Sequence, residues 1–169
     1  MIFQTVIQNL QGNKTVFKDL LSGLSREDYL WKQQPEKWCL LEIICHLYDE
    51  EREDFRARLK SVLEGAEGAW PTIAPQEWPV SRRYMEQDYE KKITDFIAER
   101  DKSIEWLKSL KNPDWKSSYM HPKVGPVSAQ LLLNNWLAHD YLHIRQITKL
   151  KYDHLEQLST EKLDYAGVW

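Results

Sequence analysis

The chain has 169 residues, 42% of them hydrophobic and 29% charged, and its formal net charge is −3. This length suits one domain with a substantial core, which we predict over residues 1–169. The acidic balance, together with the lack of a basic stripe, argues against nucleic-acid binding. No apolar run approaches the roughly 20 residues that span a bilayer, and no signal-peptide pattern is visible, so we expect no membrane partner and a cytoplasmic location.

Two long helices are predicted in the first part of the chain. Apolar residues at helical spacing predict a helix from Ile2 to about Ser22, and Gly23 follows as a stop signal. A capping-box pattern at Ser25–Asp28 predicts a short helical turn. The second helix is predicted from about Trp38 to Glu64. Its first half is apolar on almost all sides, and its second half has a charged face, which includes Glu51 and is expected to contact solvent.

A long crossover is predicted between Glu64 and Ser81, where proline and glycine argue against regular helix. Long connections in compact domains are usually functional or cover something. Trp70 and Trp78 in this segment could cap the bundle end, line a pocket mouth or lie at a subunit contact. Plain packing is the commonest role for such side chains.

The second half of the chain predicts two more helices. A third helix is expected from about Arg82 to Leu110, and residues 115–126 are typical of a turn or short hairpin. Ser128 is the predicted N-cap of a fourth helix that reaches about Leu150. The tail beyond it is polar, contains His154 and ends in Trp169, which could dock on the bundle.

Four helices of roughly 20 to 28 residues, joined by short, long and short connections, are typical of a four-helix bundle. We therefore predict an all-α fold with one long crossover between helices 2 and 3. Cys39 and Cys45 lie six residues apart in the second helix, so their directions differ by about 120°. This difference disfavours a disulfide, and both are expected to be small buried residues.

The fourth helix carries two histidines in the middle of its apolar stripe. His139 and His143 are one turn apart, and buried imidazoles need a hydrogen bond or a ligand. Two satisfied core histidines are one interpretation, and a metal bound by both ring nitrogens is the other. His46 in the second helix would supply a third ligand. Because His46 lies about 200° from Ile44, it faces inward only if this part of the helix is buried on two sides.

Three imidazoles suit Zn, Ni or Fe and leave a coordination position open, which is the pattern of catalytic sites. An ion there could lower the pKa of bound water or bind and orient a thiolate. Glu50 lies one turn after His46, where it could orient a ligand or act as a general base, although a solvated carboxylate is the alternative.

Three further polar residues lie near these ligands in the sequence. Asp140 could reach a neighbouring helix, and an ion pair with Lys or Arg explains it best. Gln146 is on the apolar stripe and could bond a core carbonyl or a ligand histidine. His121 could border the mouth of the site, but a surface loop histidine is the simpler interpretation.

Two segments resemble the DinB/YfiT-like four-helix bundle superfamily of metalloenzymes. The first is Trp38-Cys39-Leu40-Leu41-Glu42-Ile43-Ile44-Cys45-His46-Leu47. The second begins at Gly125-Pro126-Val127-Ser128 and continues through Trp136, His139-Asp140 and His143 to Gln146-Ile147.

The resemblance implies a divalent-metal site at His46, His139 and His143, and a bundle that is often a homodimer. Some members of this superfamily are similar to low-molecular-weight thiol S-transferases, and others to metal-dependent hydrolases or isomerases. We therefore expect an enzyme that uses a metal-activated thiolate or water to attack a small electrophilic substrate. The alternative is a non-catalytic binding or interaction bundle that keeps the histidines for stability, with Trp70, Trp78 and Trp169 at an interface.

Overall fold

The computed structural model describes residues 2–65, 68–70 and 72–167. In chain order, its helices and strands are α1 (Ile2–Leu21), α2 (Arg26–Leu30), α3 (Leu40–Glu50), α4 (Arg56–Leu63), α5 (Trp78–Ser81), α6 (Tyr89–Ser109), β1 (Ser118–His121), β2 (Gly125–Ser128) and α7 (Ala129–Leu158). A π-helical turn, Glu51–Phe55, joins α3 to α4 as one continuous helix. Short 3-10 turns lie at Tyr84–Glu86 and Asp164–Ala166.

The long elements form the predicted four-helix bundle. Helix α1 packs against α6 and α7, and the continuous α3–α4 helix packs against the same two partners. The long crossover separates α4 from α6, as expected for helices 2 and 3. None of the described helices combines the length and the apolar character needed to cross a bilayer.

Local signals placed several helix ends correctly. The Ser25 hydroxyl and the Asp28 carboxylate form the predicted capping box of α2. Ser128 caps α7, because its Oγ accepts a hydrogen bond from the Leu131 amide at 3.1 Å. The predicted hairpin is present as the antiparallel pair β1–β2, and Gly125 adopts the positive φ of 79° that its tight turn requires.

The third long helix begins later than predicted, at Tyr89 instead of Arg82. Asp88 caps it by accepting a hydrogen bond from the Lys91 amide at 2.7 Å. Tyr84 is buried, and its hydroxyl donates to Asp49 on the second helix at 2.7 Å. This contact holds the segment before α6 against the second helix. Residues 82–88 therefore cannot continue the axis of α6.

The crossover contains a short helix that was excluded on the basis of its prolines. In α5, Pro79 lies in the first turn, where the missing amide hydrogen costs nothing. Trp78 is buried in the core, so the expectation that it is exposed at an interface is wrong for this chain. Trp70 is partly buried and stacks on Tyr119 with ring centroids 4.2 Å apart. Both tryptophans therefore take part in packing within the chain.

The last long helix continues eight residues past the predicted end at Leu150 and has 30 residues. His154 is therefore helical and does not belong to a polar tail. Trp31 holds this end in place: its ring stacks on His154 at 4.7 Å, and its indole nitrogen donates to Gln157 at 3.0 Å. Tyr165 is fully exposed and does not dock on the bundle, and Trp169 lies outside the described residues.

The core consists of two apolar clusters with a polar layer between them. One cluster includes Phe17, Ile43, Ile44, Leu47, Phe96 and Ile147, and the other includes Leu10, Phe55, Leu59, Ile104, Leu133 and Trp136. Each of the four long helices contributes at least one buried polar residue between its contributions to these clusters, and the polar layer includes Asn13, Glu51, Arg100 and Asp140. The histidines of the candidate site lie beside this layer.

Candidate metal centre

The structure brings His46, His139 and His143 together at one point. His46 comes from α3, and the other two come from adjacent turns of α7. The Nε2 atom of His139 is 3.3 Å from Nε2 of His46 and 3.1 Å from Nε2 of His143. Within the described part of the chain, these side chains form the one group of at least three potential metal ligands, with ligand atoms within 4.8 Å of one another.

His46 can face inward because the start of its helix is buried on all sides. Every residue from Leu40 to Leu47 is buried. The π-helical turn then adds one residue to a turn, which sets the following helix back by about 100°. The angle between Phe55 and His46 is thereby reduced from about 180° to about 80°, and the Phe55 ring lies 5.0 Å from the His139 ring.

The nitrogen separations match those of metal ligands. Zn–N bonds of about 2.0–2.1 Å imply N···N edges of about 3.4 Å in a tetrahedron and about 3.0 Å in an octahedron. The two Nε2 separations in the structure, 3.3 and 3.1 Å, lie within that range. The donor set therefore fits a divalent ion held by three imidazoles.

Burial keeps the three imidazoles neutral, as metal ligands must be. It lowers the pKa of His46 to about 3, with a further contribution from His143. Burial likewise lowers the pKa of His139 to about 2, and the neighbouring His143, His46 and Arg100 act in the same direction. The pKa of His143 is also lowered by burial, against smaller opposing effects of the Gln146 side chain and the Asp140 carboxylate.

These shifts predict that acid destabilises the metal-free protein. Unfolded histidines bind protons below about pH 6.5, whereas the buried ones stay neutral, so stability falls as the pH drops. The raised pKa of Glu50, described below, opposes this trend with one proton, against the protons of His46 and His139 together with a contribution of His143. Chelator-treated protein should therefore lose about 1–2 kcal/mol of unfolding free energy per pH unit between about pH 6 and 5.

Urea denaturation at each pH measures this slope. His46→Leu should reduce it by about 1.4 kcal/mol per pH unit, because one titrating group is removed. An unfolding free energy that stays constant from pH 7 to 5 would contradict the buried neutral state of the three histidines.

The histidines lie at the base of a cleft of about 550 Å³. Its other walls come from the segment before α3, the second helix, the crossover and α7: Trp38, Glu50, Asp54, Phe55, Pro75, Gln76 and Gln146. A volume of this size is typical of a small-molecule site.

Glu50 lines this cleft and is buried, with 5% of its surface exposed. The interpretation of Glu50 as a solvated carboxylate is therefore wrong. Burial, together with the adjacent Asp54 carboxylate, raises the pKa of its carboxyl to about 8. Asp54 is itself paired with Arg58 at 2.9 Å. Glu50 can consequently hold a proton near neutral pH and release it slightly above.

The sequence model of the DinB superfamily matches residues 9–147. The chain belongs to the DinB superfamily. This result confirms the resemblance identified from the two histidine-bearing segments. No curated protein matches the sequence.

A solved structure with a similar fold is YfiT from Bacillus subtilis, described as a probable metal-dependent hydrolase with an unusual four-helix bundle topology. The similarity covers 89% of this chain and 86% of that one, with a TM-score of 0.78 and 17% identical residues. At this identity the comparison shows the fold.

Beside the histidines of this DinB-superfamily protein lies a buried ionic network. The Arg100 guanidinium donates two hydrogen bonds to Asp140, at 2.7 and 2.8 Å, and one to Glu51 at 2.9 Å. Asn13 donates to Asp140, and the Trp136 indole donates to Glu51. Burial alone would lower the pKa of Arg100, but the two carboxylates outweigh burial and raise it.

The network corrects one prediction and confirms another. Glu51 is 1% exposed and is not part of a solvated face. Asp140 makes the predicted ion pair with an arginine, on the neighbouring helix α6. Arg100 was not identified from the sequence, because its charge resembles that of the exposed residues around it on α6.

A second ionic cluster holds the crossover against the second helix. Arg82 pairs with Asp49 at 2.8 Å and with Glu53 at 2.7 Å, and its guanidinium lies 4.1 Å above the Trp78 ring. This anchor follows closely after Pro75 and Gln76, so it keeps the crossover wall of the cleft in place.

The remaining candidate residues differ in their position relative to the cluster. His121 is at the end of β1, where its Nδ1 accepts a hydrogen bond from the Lys123 amide, and it does not line the histidine cleft. Cys39 and Cys45 are free and buried, as predicted. Gln146 has an exposed side chain, lines the cleft and interacts with the ligand histidine His143, which is one of the two roles expected of it.

Proposed function

We propose that this protein is a metal-dependent enzyme in which His46, His139 and His143 hold one divalent ion, with Zn, Ni or Fe as the candidates. The observation that carries the proposal is the convergence of three neutral imidazoles, with Nε2 separations of 3.3 and 3.1 Å, at the base of an open cleft. Three protein ligands leave a coordination position for catalysis.

An ion held there supplies Lewis-acid chemistry, which acidifies a water or thiol and polarises an electrophile. Glu50 supplies the proton transfer, because its buried carboxyl lines the same cleft and its pKa of about 8 is close to neutral. Trp38 and Phe55 form apolar walls that exclude water from the reacting groups. The reaction is attack by water or a low-molecular-weight thiol on a small electrophilic molecule.

Metal content tests the first step of this proposal. Protein supplemented with Zn²⁺, Ni²⁺ or Fe²⁺ and then desalted should retain close to one equivalent of one of these ions, measured by elemental mass spectrometry. His143→Ala should retain at least about tenfold less, since losing a ligand costs more than losing a group that orients one. His121→Ala removes a histidine outside the cluster and should retain as much as the parent.

Turnover tests the second step. The loaded protein is incubated with 4-nitrophenyl acetate for hydrolysis, and with cysteine plus 1-chloro-2,4-dinitrobenzene for thiol transfer, and products are identified by mass spectrometry. Product formation that His143→Ala abolishes supports the enzyme. Far less than one equivalent of metal, or a metal content unaffected by His143→Ala, overturns it. Metal retention without either product favours the non-catalytic binding bundle.

A further inference from the structure

A second cleft opens beside the histidine cleft. It has a volume of about 430 Å³, and its walls include Lys37, Trp38, Arg145, Gln146, Lys149 and Asp153. We call it the basic cleft. Trp38 and Gln146 line both clefts, so the two lie side by side.

The basic cleft concentrates positive charge on a chain whose net charge is −3. Lys149 forms an ion pair with Asp153, which is the one carboxylate among the lining residues. The exposed side chains of Lys37 and Arg145 make no ion pair or hydrogen bond with any residue in the described ranges. Two cations in the cleft are therefore available to a ligand.

The spacing along α7 relates these cations to the histidines. Arg145 and Lys149 follow His143 by two and six residues, which corresponds to about 3 and 9 Å along the helix axis. The Trp38 ring lies between the two clefts, with its centroid 4.9 Å from that of His46. A ligand of modest length can thus contact Arg145, lie against Trp38 and reach the histidine cluster.

We propose that the basic cleft binds a carboxylate or phosphate group of the substrate while its reactive group is at the histidine cluster. The proposal rests on the proposed function and specifies its substrate class: a small molecule with an anionic group a few bonds from an electrophilic or thiol centre. Arg145 contributes most, because a guanidinium binds an oxyanion through two parallel hydrogen bonds. Lys37 adds charge without that geometry.

Binding of two matched probes tests the proposal without turnover. Succinamate carries one carboxylate, and succinamide is its neutral counterpart of equal length. Each is titrated at low salt into ¹⁵N-labelled, Zn²⁺-supplemented protein, and NMR follows the indole N–H of Trp38, the amide of Gln146 and the Nε–H of Arg145. Succinamate should give saturable shifts of these signals that weaken as salt is raised, and succinamide should not.

Matched variants locate the binding group. Arg145→Gln should weaken succinamate binding about fivefold or more, which is the effect of losing one charge-assisted contact. Arg26→Gln makes the same change in net charge on α2, outside the cleft, and should leave the affinity unchanged.

Equal shifts from both probes, or an affinity that Arg145→Gln leaves unchanged, would overturn the proposal. A carboxylate bound to the ion alone would shift histidine ring signals and be insensitive to Arg145→Gln, which also counts against it. The titration remains informative if the protein retains no Zn²⁺, so failure of the metal site and failure of the basic cleft are distinguishable.

Discussion

Glu50→Gln is expected to lower kcat/KM by about 10²–10⁴-fold for any substrate that the loaded protein turns over, because it removes the group that transfers the proton. Glu50 lines the histidine cleft and is buried, and its raised pKa of about 8 allows it to exchange a proton near neutral pH. The substitution preserves size and removes only the ionisable oxygen. Metal content, measured in parallel, should stay at the parental value.

The pH profile separates this role from a structural one. A base with a raised pKa is active once deprotonated, so kcat/KM of the parent should rise with pH toward about 8, or at lower pH if the bound cation stabilises the carboxylate. Glu50→Gln should lack this rise. Asp54→Asn removes the charge that helps to raise the pKa of Glu50 and should move the rise to lower pH.

Glu64→Gln is the matched control, since Glu64 is an exposed carboxylate at the C-terminal end of the same long helix, paired at its surface with Lys60. It should leave kcat/KM within about twofold of the parent, as expected for a screened surface pair. If Glu50→Gln retains parental kcat/KM and the parental pH profile, Glu50 has no part in the proton transfer.

The sequence predicted the features that depend on local pattern. The apolar stripe of α7 placed His139 and His143 on the inner face, and the cap at Ser128 placed the start of the helix. Side-chain direction in a regular helix follows from residue spacing alone, so these positions needed no tertiary information. The same holds for the four-helix bundle and its long crossover, which follow from helix lengths and connection lengths.

Features that depend on irregular backbone or on distant partners could not be predicted. The angle of His46 conflicted with a one-sided stripe, because the sequence gives no sign of the π-helical turn at Glu51–Phe55. Glu51 was predicted on a solvated face and Arg100 was not identified, because the two lie 49 residues apart and pair only in the folded core. A buried charge differs from an exposed one only through its partners, and these come from other helices.

Arg100→Met is expected to lower the free energy of unfolding by about 3–5 kcal/mol, because it leaves two buried carboxylates without their cation. Glu51 and Asp140 are 1% and 0% exposed, so water cannot replace the lost donors without opening the core. Arg100 also donates to the Leu10 carbonyl at 3.2 Å, and the network therefore joins all four long helices. Urea denaturation of both proteins measures the difference.

Lys91→Met provides the comparison on the same helix. Lys91 pairs with Asp95 at 2.7 Å, but its side chain is 70% exposed, so this loss should destabilise the protein far less than Arg100→Met does. A cost for Arg100→Met no greater than that for Lys91→Met would show that the buried network contributes no stability. If Arg100→Met does not fold, Arg100→Lys serves instead. It keeps the charge but loses the planar guanidinium that donates to Glu51 and Asp140 at the same time.

Combining substitutions identifies the cause of the loss. Asp140→Asn removes one of the stranded charges, so Arg100→Met with Asp140→Asn should be less destabilised than the sum of the two single variants. Strict additivity would instead attribute the cost to lost packing. Because Asp140 directly follows His139, and Glu51 directly follows Glu50, loss of the network should also reduce the Zn²⁺ retained by Arg100→Lys, whereas Lys91→Met should retain as much as the parent.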